Sequence, residues 1–583
     1  MLKRLFASVR EFKTASILTL LFIVGEAVIE TFIPFVTADL INYIRDAGNA
    51  LEMERILWTG LLLVGMAALS LTCGGVAAYT CAKASSGFAR NLRNDVFDKI
   101  QAFSFQNVDK FSATSLVTRL TTDVNNIQMS YMMIIRIAIR APLVLIFSII
   151  MAFYMGGLLA LSFVVLIPLL SIGLLIVSRK AMPAFRAVFR KYDRLNESIE
   201  ENVRAARVVK GFSRENYEKE KFGTAAEDIR GDFTRAERIV ACNNPLMQLC
   251  VNANMIFVLA VGSQLIIRSG GTALNVGDMS AMLTYGMQIL MQLMMLNMIY
   301  VMLTMSAESM KRVNEVLTEE SCIISPETAV TEVRDGSIDF ENVSFKYSEK
   351  ADRYALADVD LHIKSGMTVG ILGGTGSSKS TLVQLIPRLY DATEGVVKVG
   401  GVDVRDYELD TLRGQVAMVL QKNLLFSGTI KENLRWGNEN ATDEELIEAC
   451  KLAQAHDFVA SFPDGYDTHI EQGGTNVSGG QKQRLCIARA LLKRPKILIL
   501  DDSTSAVDTK TDAMIRAGFK SYIPETTKII IAQRVSSVQD ADLILVMENG
   551  VVAAQGTHSE LLTSCDIYRE IYEQQTKGGE DHE

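Results

Sequence analysis

Six long apolar segments in the first half of the sequence constrain the fold more than any other feature. At ~1.5 Å of rise per helical residue, each can cross the ~30 Å hydrocarbon core of a bilayer. They lie at about 15–44, 56–82, 129–154, 157–178, 240–268 and 278–305. Because a spanning segment must satisfy its backbone hydrogen bonds internally, this pattern predicts an all-α transmembrane domain of six helices in contact with the lipid bilayer.

The connections between the apolar segments alternate in length and charge. Segments one and two, three and four, and five and six are joined by short links, whereas 83–128 and 179–239 are long, polar and helical in pattern. Most of the Lys and Arg residues in the connections lie in the two long ones, whereas the short ones hold only Arg45, Arg55 and Arg268. This bias places the long connections and the N-terminus in the cytoplasm. We therefore predict a multi-pass protein of the cell membrane whose helical hairpins project into the cytoplasm.

Several residues inside the spans allow two interpretations. Glu26 and Glu30 are one helical turn apart on the first span, and Arg136 and Arg140 are one turn apart on the third. Ionisable groups at this depth are costly and face a partner or a water-filled cavity. They either line a translocation path or have a structural role, as Glu–Arg pairs or as arginines that reach the inner headgroups. The methionines at 287–305 of the sixth span are likewise either an adaptable binding wall or ordinary packing.

Composition separates the two halves of the chain. After a transmembrane domain at 1–315 and a linker at 316–335, residues 336–575 read as a soluble α/β domain, followed by an acidic tail at 576–583 that we predict to be disordered. The net charge of −8 gives no support to nucleic-acid binding. The eight cysteines show no CxxC spacing, so neither zinc nor a disulfide framework is indicated.

A glycine-rich loop carries the strongest chemical signal of the second half. It reads Gly373, Gly374, Thr375, Gly376, Ser377, Ser378, Lys379, Ser380, Thr381. It stands between an apolar strand-like run and a helical pattern, so its backbone N–H groups and the helix N-terminus form a cradle for phosphate. Lys379 is placed for the β- and γ-phosphates and Ser380 for Mg²⁺. Ser378 departs from the P-loop pattern, which has glycine at that position.

Further polar motifs follow predicted strands or open a predicted helix. They are Tyr347 after strand 338–345, Gln421 after strand 416–420, the run Val477, Ser478, Gly479, Gly480, Gln481 at the start of a basic amphipathic helix, Asp501 and Asp502 after strand 497–500, and Gln533 after strand 529–532. The N-terminus of the helix that begins at 477–481 can bind phosphate through its backbone N–H groups. A carboxylate at a strand end, as at Asp501, can hold Mg²⁺ opposite the phosphate loop.

This ordered set resembles the ATP-binding cassette of ABC transporters, and with six spans ahead of it nearly the whole chain is similar to an ABC exporter half-transporter. The resemblance implies an all-α six-helix transmembrane domain followed by an α/β P-loop ATP-binding cassette domain. In this family the long hairpins dock on the cassettes. We expect their tips at Phe105–Ser112 and Glu215–Gly223.

The resemblance also implies roles for the motif residues. Residues 373–381 would hold the phosphates of ATP, Tyr347 would stack on adenine, and Ser380, Gln421 and Asp501 would bind Mg²⁺. Val477–Gln481 would be the signature, which contacts ATP held by a second chain across a cassette dimer. Asp508 would contact the dimer partner.

Three positions depart from the family pattern. Asp502 stands where the family has the Glu that orients the attacking water, Gln533 where it has the His that contacts the γ-phosphate, and Ser378 replaces a glycine. A catalytic group misplaced by ~1 Å can lose ~10²-fold in rate. A neutral amide cannot act as an imidazole or imidazolium. The signature, by contrast, is complete from Ser478 to Gln481.

This asymmetry predicts the degenerate-site subunit of a heterodimeric bacterial ABC exporter. Its own site would bind ATP and Mg²⁺ with little hydrolysis, and its signature would complete the hydrolytic site of a second, catalytically complete half-transporter. We expect small amphiphilic, multidrug-like cargo, although peptides and lipids are equally compatible. Two alternatives stay open: a homodimeric exporter with slow hydrolysis through Asp502, and an ATP-gated membrane regulator that does not pump.

Overall fold

The structure is a computed structural model that describes residues 2–47, 52–348, 351–502 and 508–580. It divides the chain into two compact units. The first consists of Met1–Gln101 and Ser112–Glu319, and the second of Ala102–Phe111 and Glu320–Glu583. A short segment from the first half of the sequence, at the predicted tip of the first hairpin, is therefore part of the second unit.

The described residues before Glu319 are almost entirely helical. In chain order the helices are α1 (Leu2–Ala7), α2 (Lys13–Ala47), α3 (Met53–Gln101), α4 (Phe105–Phe111), α5 (Ala113–Thr118), α6 (Val124–Gly156), α7 (Leu161–Arg204), α8 (Ala206–Gly211), α9 (Glu215–Ala241), α10 (Asn243–Ser269) and α11 (Val276–Thr318). Helix α4 belongs to the second unit and the others to the first.

Within the described ranges, six helical stretches are long and apolar enough to cross a membrane, which confirms the six predicted spans. They are Arg10–Asp46, Met53–Gln101, Ala113–Gly156, Leu161–Phe185, Glu215–Ser269 and Val276–Thr318. The long connections are helical as predicted, since α3 and α7 continue well past their apolar parts. The second hairpin, however, turns at 212–214, ahead of the predicted tip, which is instead the first part of α9.

Buried polar contacts add to apolar packing in the first unit. The fully buried Tyr285 on α11 donates a hydrogen bond to the carbonyl oxygen of Thr31 on α2 at 2.8 Å. Asp123, which is 0% exposed just before α6, accepts hydrogen bonds from Arg312 Nε and Ser309 Oγ, both at 2.8 Å. A buried carboxylate is stable only when it is paired and hydrogen-bonded, so this contact fixes the start of α6 against the end of α11.

The two glutamates of the first span are ion-paired. Arg140 on α6 reaches both of them, with Nε 3.3 Å from Glu26 Oε1 and a terminal nitrogen in contact with Glu30. The structure thus contains the Glu–Arg pairing that one of the two interpretations expected.

The second unit is an α/β fold with three sheets. Its strands are β1 (Ile338–Phe345), β2 (Leu356–Ile363), β3 (Thr368–Gly373), β4 (Glu394–Val399), β5 (Val402–Asp403), β6 (Val416–Val419), β7 (Gly428–Thr429), β8 (His469–Ile470), β9 (Ile497–Asp501), β10 (Thr527–Ile531), β11 (Leu543–Glu548) and β12 (Val551–Gly556). The sheet orders are β2-β1-β4-β5, β12-β11-β3-β10-β9-β6 and β7-β8.

The helices of the second unit cover and connect these sheets. After α4 they are α12 (Lys379–Gln384), α13 (Leu409–Gln415), α14 (Ile430–Arg435), α15 (Asp443–Leu452), α16 (His456–Ala460), α17 (Gly479–Leu492), α18 (Thr509–Tyr522), α19 (His558–Ser564) and α20 (Asp566–Glu580). Helix α20 continues through 576–580, where we predicted a disordered tail, and 581–583 lie outside the described residues. Gln575 anchors this helix, because its amide bonds Val535 N and the Gln533 carbonyl, each at 2.8 Å.

The six-stranded sheet explains why the polar motifs come together. Strands β3, β6, β9, β10 and β11 run parallel, and β12 pairs antiparallel with β11. Strands β9 and β10 are buried along their whole length, as expected for parallel strands covered on both faces. The carboxyl ends of parallel strands meet at one edge, where ligands of such sheets bind. The phosphate loop, Gln421, the pair Asp501 and Asp502, and Gln533 each lie at or just after one of these ends, whereas Tyr347 and the signature do not.

Candidate functional site

A cavity of about 290 Å³ lies at the carboxyl edge of the parallel sheet. It is lined by Thr375, Gly376, Ser377, Ser378, Lys379, Ser380, Thr381, Gln421, Asp501, Asp502, Ile531 and Gln533. Four chain segments that are far apart in sequence supply these residues: the loop after β3 and the ends of β6, β9 and β10. The structure therefore brings together the phosphate loop, the candidate metal ligands and both candidate catalytic residues.

Lys379 is held inside the glycine-rich loop. Its ammonium donates hydrogen bonds to the carbonyl oxygens of Gly373 and Gly374, both at 2.8 Å. Burial lowers the pKa of Lys379, an effect that the nearby carboxylates of Asp501 and Asp502 oppose. A phosphate group in this cavity would offset the desolvation of the ammonium and would favour its charged form. The loop residues thus fit a phosphate ligand.

Ser378 adopts the backbone conformation that glycine has in this kind of loop. Its φ is +68° and its ψ is +26°, the left-handed helical region. A residue with a Cβ atom is less stable in this region than glycine, by roughly 1–2 kcal/mol. Serine in place of glycine at 378 therefore keeps the geometry of the loop but lowers the stability of the fold.

Ser378→Gly should raise the apparent Tm of the second unit by about 2 °C, because removing the Cβ relieves the left-handed strain. The greater freedom of glycine in the unfolded chain reduces this gain. Ser378→Ala keeps the Cβ and is the matched control. Thermal unfolding of the full chain in nanodiscs gives the Tm of both variants. A Tm for Ser378→Gly at or below that of Ser378→Ala would show that the left-handed backbone at this position is not strained.

Ser380 and Asp501 place two oxygen atoms close together at the edge of the cavity. The hydroxyl of Ser380 donates to Asp501 Oδ1 at 3.1 Å. Asp501 is only 5% exposed, and its pKa is raised by burial and by the charge of Asp502, while Lys379 opposes the shift. Mg²⁺ typically takes one or two protein oxygens together with substrate phosphates. A divalent cation would offset the repulsion between the two carboxylates, so the donor set fits Mg²⁺.

Asp502 is engaged by two amide side chains. Gln533 Nε2 donates to Asp502 Oδ2 at 2.8 Å, and Gln421 Nε2 lies 3.5 Å from the same oxygen. The backbone of Asp502 is itself left-handed, with a φ of +48°. The carboxylate oxygen nearest to Gln533 therefore already accepts a hydrogen bond from an amide, a group that can neither take up nor release a proton at neutral pH.

Tyr347 lies beside the cavity without lining it. Its hydroxyl is 2.9 Å from Thr381 Oγ1 of the phosphate loop, and its side chain is 47% exposed. Anchored at its hydroxyl end, the ring presents an aromatic surface on which a base can stack. This placement fits the adenine-stacking role that the resemblance implies.

Tyr390, which no motif of the sequence singled out, connects this region to α4. Its ring packs edge-on against Tyr347 with 5.3 Å between centroids, and its hydroxyl donates to Asp109 Oδ2 at 2.8 Å. Phe105 of α4 lies 6.2 Å from the same ring, between centroids. The pKa of Tyr390 is raised, first by burial, so the phenol stays protonated and donates. Because Tyr390 and Asp109 are 281 positions apart, no local sequence pattern signals this contact.

Tyr390→Phe should speed amide hydrogen exchange of residues 105–111 about fivefold, because it removes one hydrogen bond of roughly 1 kcal/mol but keeps the aromatic ring. Hydrogen exchange of the full chain in nanodiscs measures this effect. Tyr354→Phe is the matched control, since its hydroxyl bonds Glu394 at 2.8 Å within the second unit. Equal exchange at 105–111 in both variants would show that Tyr390 does not hold α4.

The signature residues form a well-capped helix start away from the cavity. Ser478 is the N-cap of α17: its backbone N–H donates to Gln481 Oε1 at 2.9 Å, and its hydroxyl accepts from Gln481 N at 3.3 Å. Ser478 and Gly479 are exposed, whereas Val477 is buried. Among the residues that the structure describes, none from 477 to 481 lines the cavity. The exposed helix start is therefore open to a ligand held outside this chain's own site.

Two family descriptions match the two halves of the chain. Residues 16–294 match the ABC transporter transmembrane region, and residues 356–505 match the ABC transporter family proper. The ABC transporter ATP-binding protein YfiB of Bacillus subtilis is 38% identical over 559 residues, which is 96% of each chain. The fatty acid ABC transporter ATP-binding/permease protein of Mycobacterium bovis is 33% identical over 480 residues, covering 82% of this chain and 75% of the relative.

A solved structure agrees with these matches. A bacterial Atm1-family ABC exporter with ATP bound superimposes with a TM-score of 0.82 and 26% sequence identity, covering 98% of this chain and 99% of that one. The spans, the parallel sheet and the loop geometry are those expected of such a protein. The chain therefore belongs to the ABC transporter family, as an exporter half that joins a multi-pass transmembrane domain and an ATP-binding cassette in one polypeptide.

Proposed function

We propose that this chain is the ATP-binding, poorly hydrolysing half of a heterodimeric exporter. ATP and Mg²⁺ would bind at its own P-loop, with Lys379 on the phosphates, Ser380, Gln421 and Asp501 around the metal, and Tyr347 on the adenine. Its signature, Val477–Gln481, would complete the hydrolytic site of a second, catalytically complete half-transporter. Hydrolysis would take place mainly at that second site.

The hydrogen bond from Gln533 to Asp502 carries this proposal. An efficient site needs a carboxylate free to orient water and a side chain able to contact the γ-phosphate. In this chain the shortened carboxylate accepts a bond from Gln533 at 2.8 Å. This contact engages the carboxylate that would orient the attacking water and the amide that would contact the γ-phosphate, which supports slow phosphoryl transfer at this site.

The intact signature supports the second part of the proposal. A helix N-terminus with exposed N–H groups attracts phosphate through its dipole. The start of α17 has this form, with Ser478 and Gly479 exposed and the capping box closed. A chain with an impaired catalytic pair, Asp502 and Gln533, and a complete signature is suited to contact ATP that its partner holds.

Closure of the cassettes around ATP would drive the export step. Nucleotide must bind the closed state more tightly than the open one for this to occur. The positive-inside rule supports a cytoplasmic location for both the cassette and the hairpins. Contacts of α4 with Tyr390, next to the adenine-stacking Tyr347, supply a route by which nucleotide binding reaches a hairpin tip.

Amphiphilic compounds are the cargo that the transmembrane helices support best. Met287, Met291, Met298 and Met305 of α11 are between 45% and 56% exposed, and their spacing places them on one helix face. Unbranched, polarisable side chains adapt to ligands of varied shape. The name of the Mycobacterium bovis relative, a fatty acid transporter, also favours amphiphilic cargo.

The decisive experiment is a comparison of ATP hydrolysis by the purified chain alone and by the complex that the tagged chain recovers from its native membrane. We expect slow hydrolysis by the lone chain, fast hydrolysis by a complex with a different half-transporter, and loss of that fast rate with Ser478→Ala. Rapid turnover by a homodimer would overturn the proposal in favour of hydrolysis through Asp502. Tight ATP binding without transport by any complex would favour a regulator.

A further inference from the structure

A second cavity, of about 650 Å³, lies between α7 and α9 of the first unit, outside the nucleotide site. We call it the basic cavity and define it by Lys180, Arg230, Arg235 and Arg238, with Ile176 and Ile239 as its apolar part. Its lining combines cationic heads and aliphatic surface in one place. A ligand that matches it carries negative charge at one end and hydrocarbon at the other.

The charges of the basic cavity are not balanced within the described part of the chain. Arg230 is neutralised by Glu227, with Nε 2.8 Å from Oε2. Lys180, Arg235 and Arg238 form no ion pair with any described residue, and no acidic side chain lines the cavity there. Like charges that converge on one cavity repel one another unless an anion lies between them. The cavity therefore favours an anionic ligand.

The basic cavity lies where the apolar parts of two spans end. Lys180 falls near the end of the span Leu161–Phe185, and Arg238 precedes the apolar helix α10. Ile172 and Ile176, on the membrane side of Lys180, are 57% and 50% exposed, as expected for lipid-facing residues. Basic pockets between spans at the edge of the hydrocarbon region bind anionic lipid headgroups.

The walls of the basic cavity are held together by specific contacts between α7 and α9. Lys191 pairs with Asp232 at 2.6 Å, and the rings of Phe185 and Phe233 pack edge to face with 6.2 Å between centroids. A Cβ added at Gly231, on the cavity lining, would meet nothing within 4 Å. The cavity is thus an open space between two connected helices.

We propose that the basic cavity binds the headgroup phosphate of an anionic phospholipid. Lys180, Arg235 and Arg238 contact the phosphate, and the acyl chains extend along the exposed face of Ile172 and Ile176. The lipid comes from the leaflet at which the 179–239 connection leaves the membrane. Assigning that leaflet to the cytoplasmic side rests on the proposed orientation, whereas binding itself does not depend on the proposed heterodimer.

Cys242 provides a direct probe, because it lines the basic cavity and is exposed. The full chain is placed in nanodiscs of phosphatidylcholine, with or without phosphatidylglycerol, and its alkylation by N-ethylmaleimide is followed by mass spectrometry. Cys322, also exposed but in the second unit, is the internal reference. We expect phosphatidylglycerol to slow the alkylation of Cys242 roughly tenfold relative to Cys322, given three cationic contacts.

Two matched triple variants test whether the effect belongs to this cavity. Lys180→Gln/Arg235→Gln/Arg238→Gln should abolish the protection by phosphatidylglycerol. The control variant, Arg179→Gln/Arg207→Gln/Lys219→Gln, removes the same charge from exposed positions outside the cavity lining. It should retain the protection of Cys242 by phosphatidylglycerol. The ratio of rates with and without phosphatidylglycerol is compared within each variant, so changes in the reactivity of the thiol itself cancel.

Three outcomes would overturn the lipid assignment. Absence of slowing by phosphatidylglycerol would exclude the site. Equal loss of protection in both triple variants would show that the overall surface charge, and not this cavity, protects Cys242. Equal protection by millimolar inorganic phosphate in phosphatidylcholine nanodiscs would identify a soluble anion as the ligand. None of these readouts involves ATP hydrolysis, so each is distinct from a failure of the proposed heterodimer.

Discussion

The purified Asp502→Glu/Gln533→His protein should hydrolyse ATP about 10²-fold faster than the unaltered chain. The added methylene moves the carboxylate toward the position from which it can orient water. The imidazole restores a side chain that can contact the γ-phosphate and hold a proton. The substitution also removes the hydrogen bond between Gln533 Nε2 and Asp502 Oδ2, which is 2.8 Å long. Steady-state phosphate release from the lone chain in nanodiscs measures the effect.

The control for this gain is Asp502→Asn/Gln533→His, which has the imidazole without a carboxylate and should stay as slow as the unaltered chain. Asp502→Glu alone should give only part of the gain, since Gln533 still donates to the carboxylate. An unchanged rate in the double variant, with ATP binding intact, would place the defect elsewhere in the chain. A fast rate in the unaltered lone chain would remove the premise that its own site is impaired.

Lys379→Met should weaken ATP binding roughly 10²-fold, the second large effect expected. The methionine keeps most of the aliphatic stem but removes the ammonium, and a hydrogen bond to a charged partner contributes about 1.5–3 kcal/mol. The half-buried Lys379 lines the nucleotide cavity, and its ammonium contacts the carbonyl oxygens of Gly373 and Gly374 there. Equilibrium titration with a fluorescent ATP analogue in the presence of Mg²⁺ gives the change in Kd.

Lys364→Met is the matched control for this loss. Lys364 is exposed just after β2 and does not line the nucleotide cavity, so its substitution should leave the Kd unchanged. A Kd for Lys379→Met within threefold of the unaltered value would show that the ammonium contributes little to the phosphate site. In that case the hydrogen bonds of Lys379 to Gly373 and Gly374 would have only a structural role.

Local patterns in the sequence predicted much of this protein correctly. Apolar runs of sufficient length predicted all six spans, because a helix satisfies every backbone hydrogen bond within one such run. The strands that carry the motifs were also predicted, since Ile497–Asp501 and Thr527–Ile531 are buried on both faces and read as continuous apolar runs. The motifs predicted a carboxylate at Asp501 opposite the phosphate loop, and the parallel sheet of the structure brings these residues to one edge.

Contacts between distant segments were beyond the reach of the sequence. The bond between Tyr390 and Asp109 joins residues 281 positions apart, and the sequence offered the pairing of Arg140 with Glu26 and Glu30 only as one of its interpretations. The structure continues α20 over 576–580, within the tail that we predicted to be disordered. Such contacts depend on how the segments pack, and no local period or composition encodes the packing.

By itself, the sequence determined the spans, the order of the motifs and the three departures at Ser378, Asp502 and Gln533, because each of these follows from residue type and local pattern. Only the tertiary structure decided what the departures do. It gives Ser378 a left-handed backbone, bonds Gln533 to Asp502 and gathers Lys180, Arg235 and Arg238 around one cavity. The physical reason is that hydrogen bonds and charges act over a few ångströms, and folding alone brings these groups within that range.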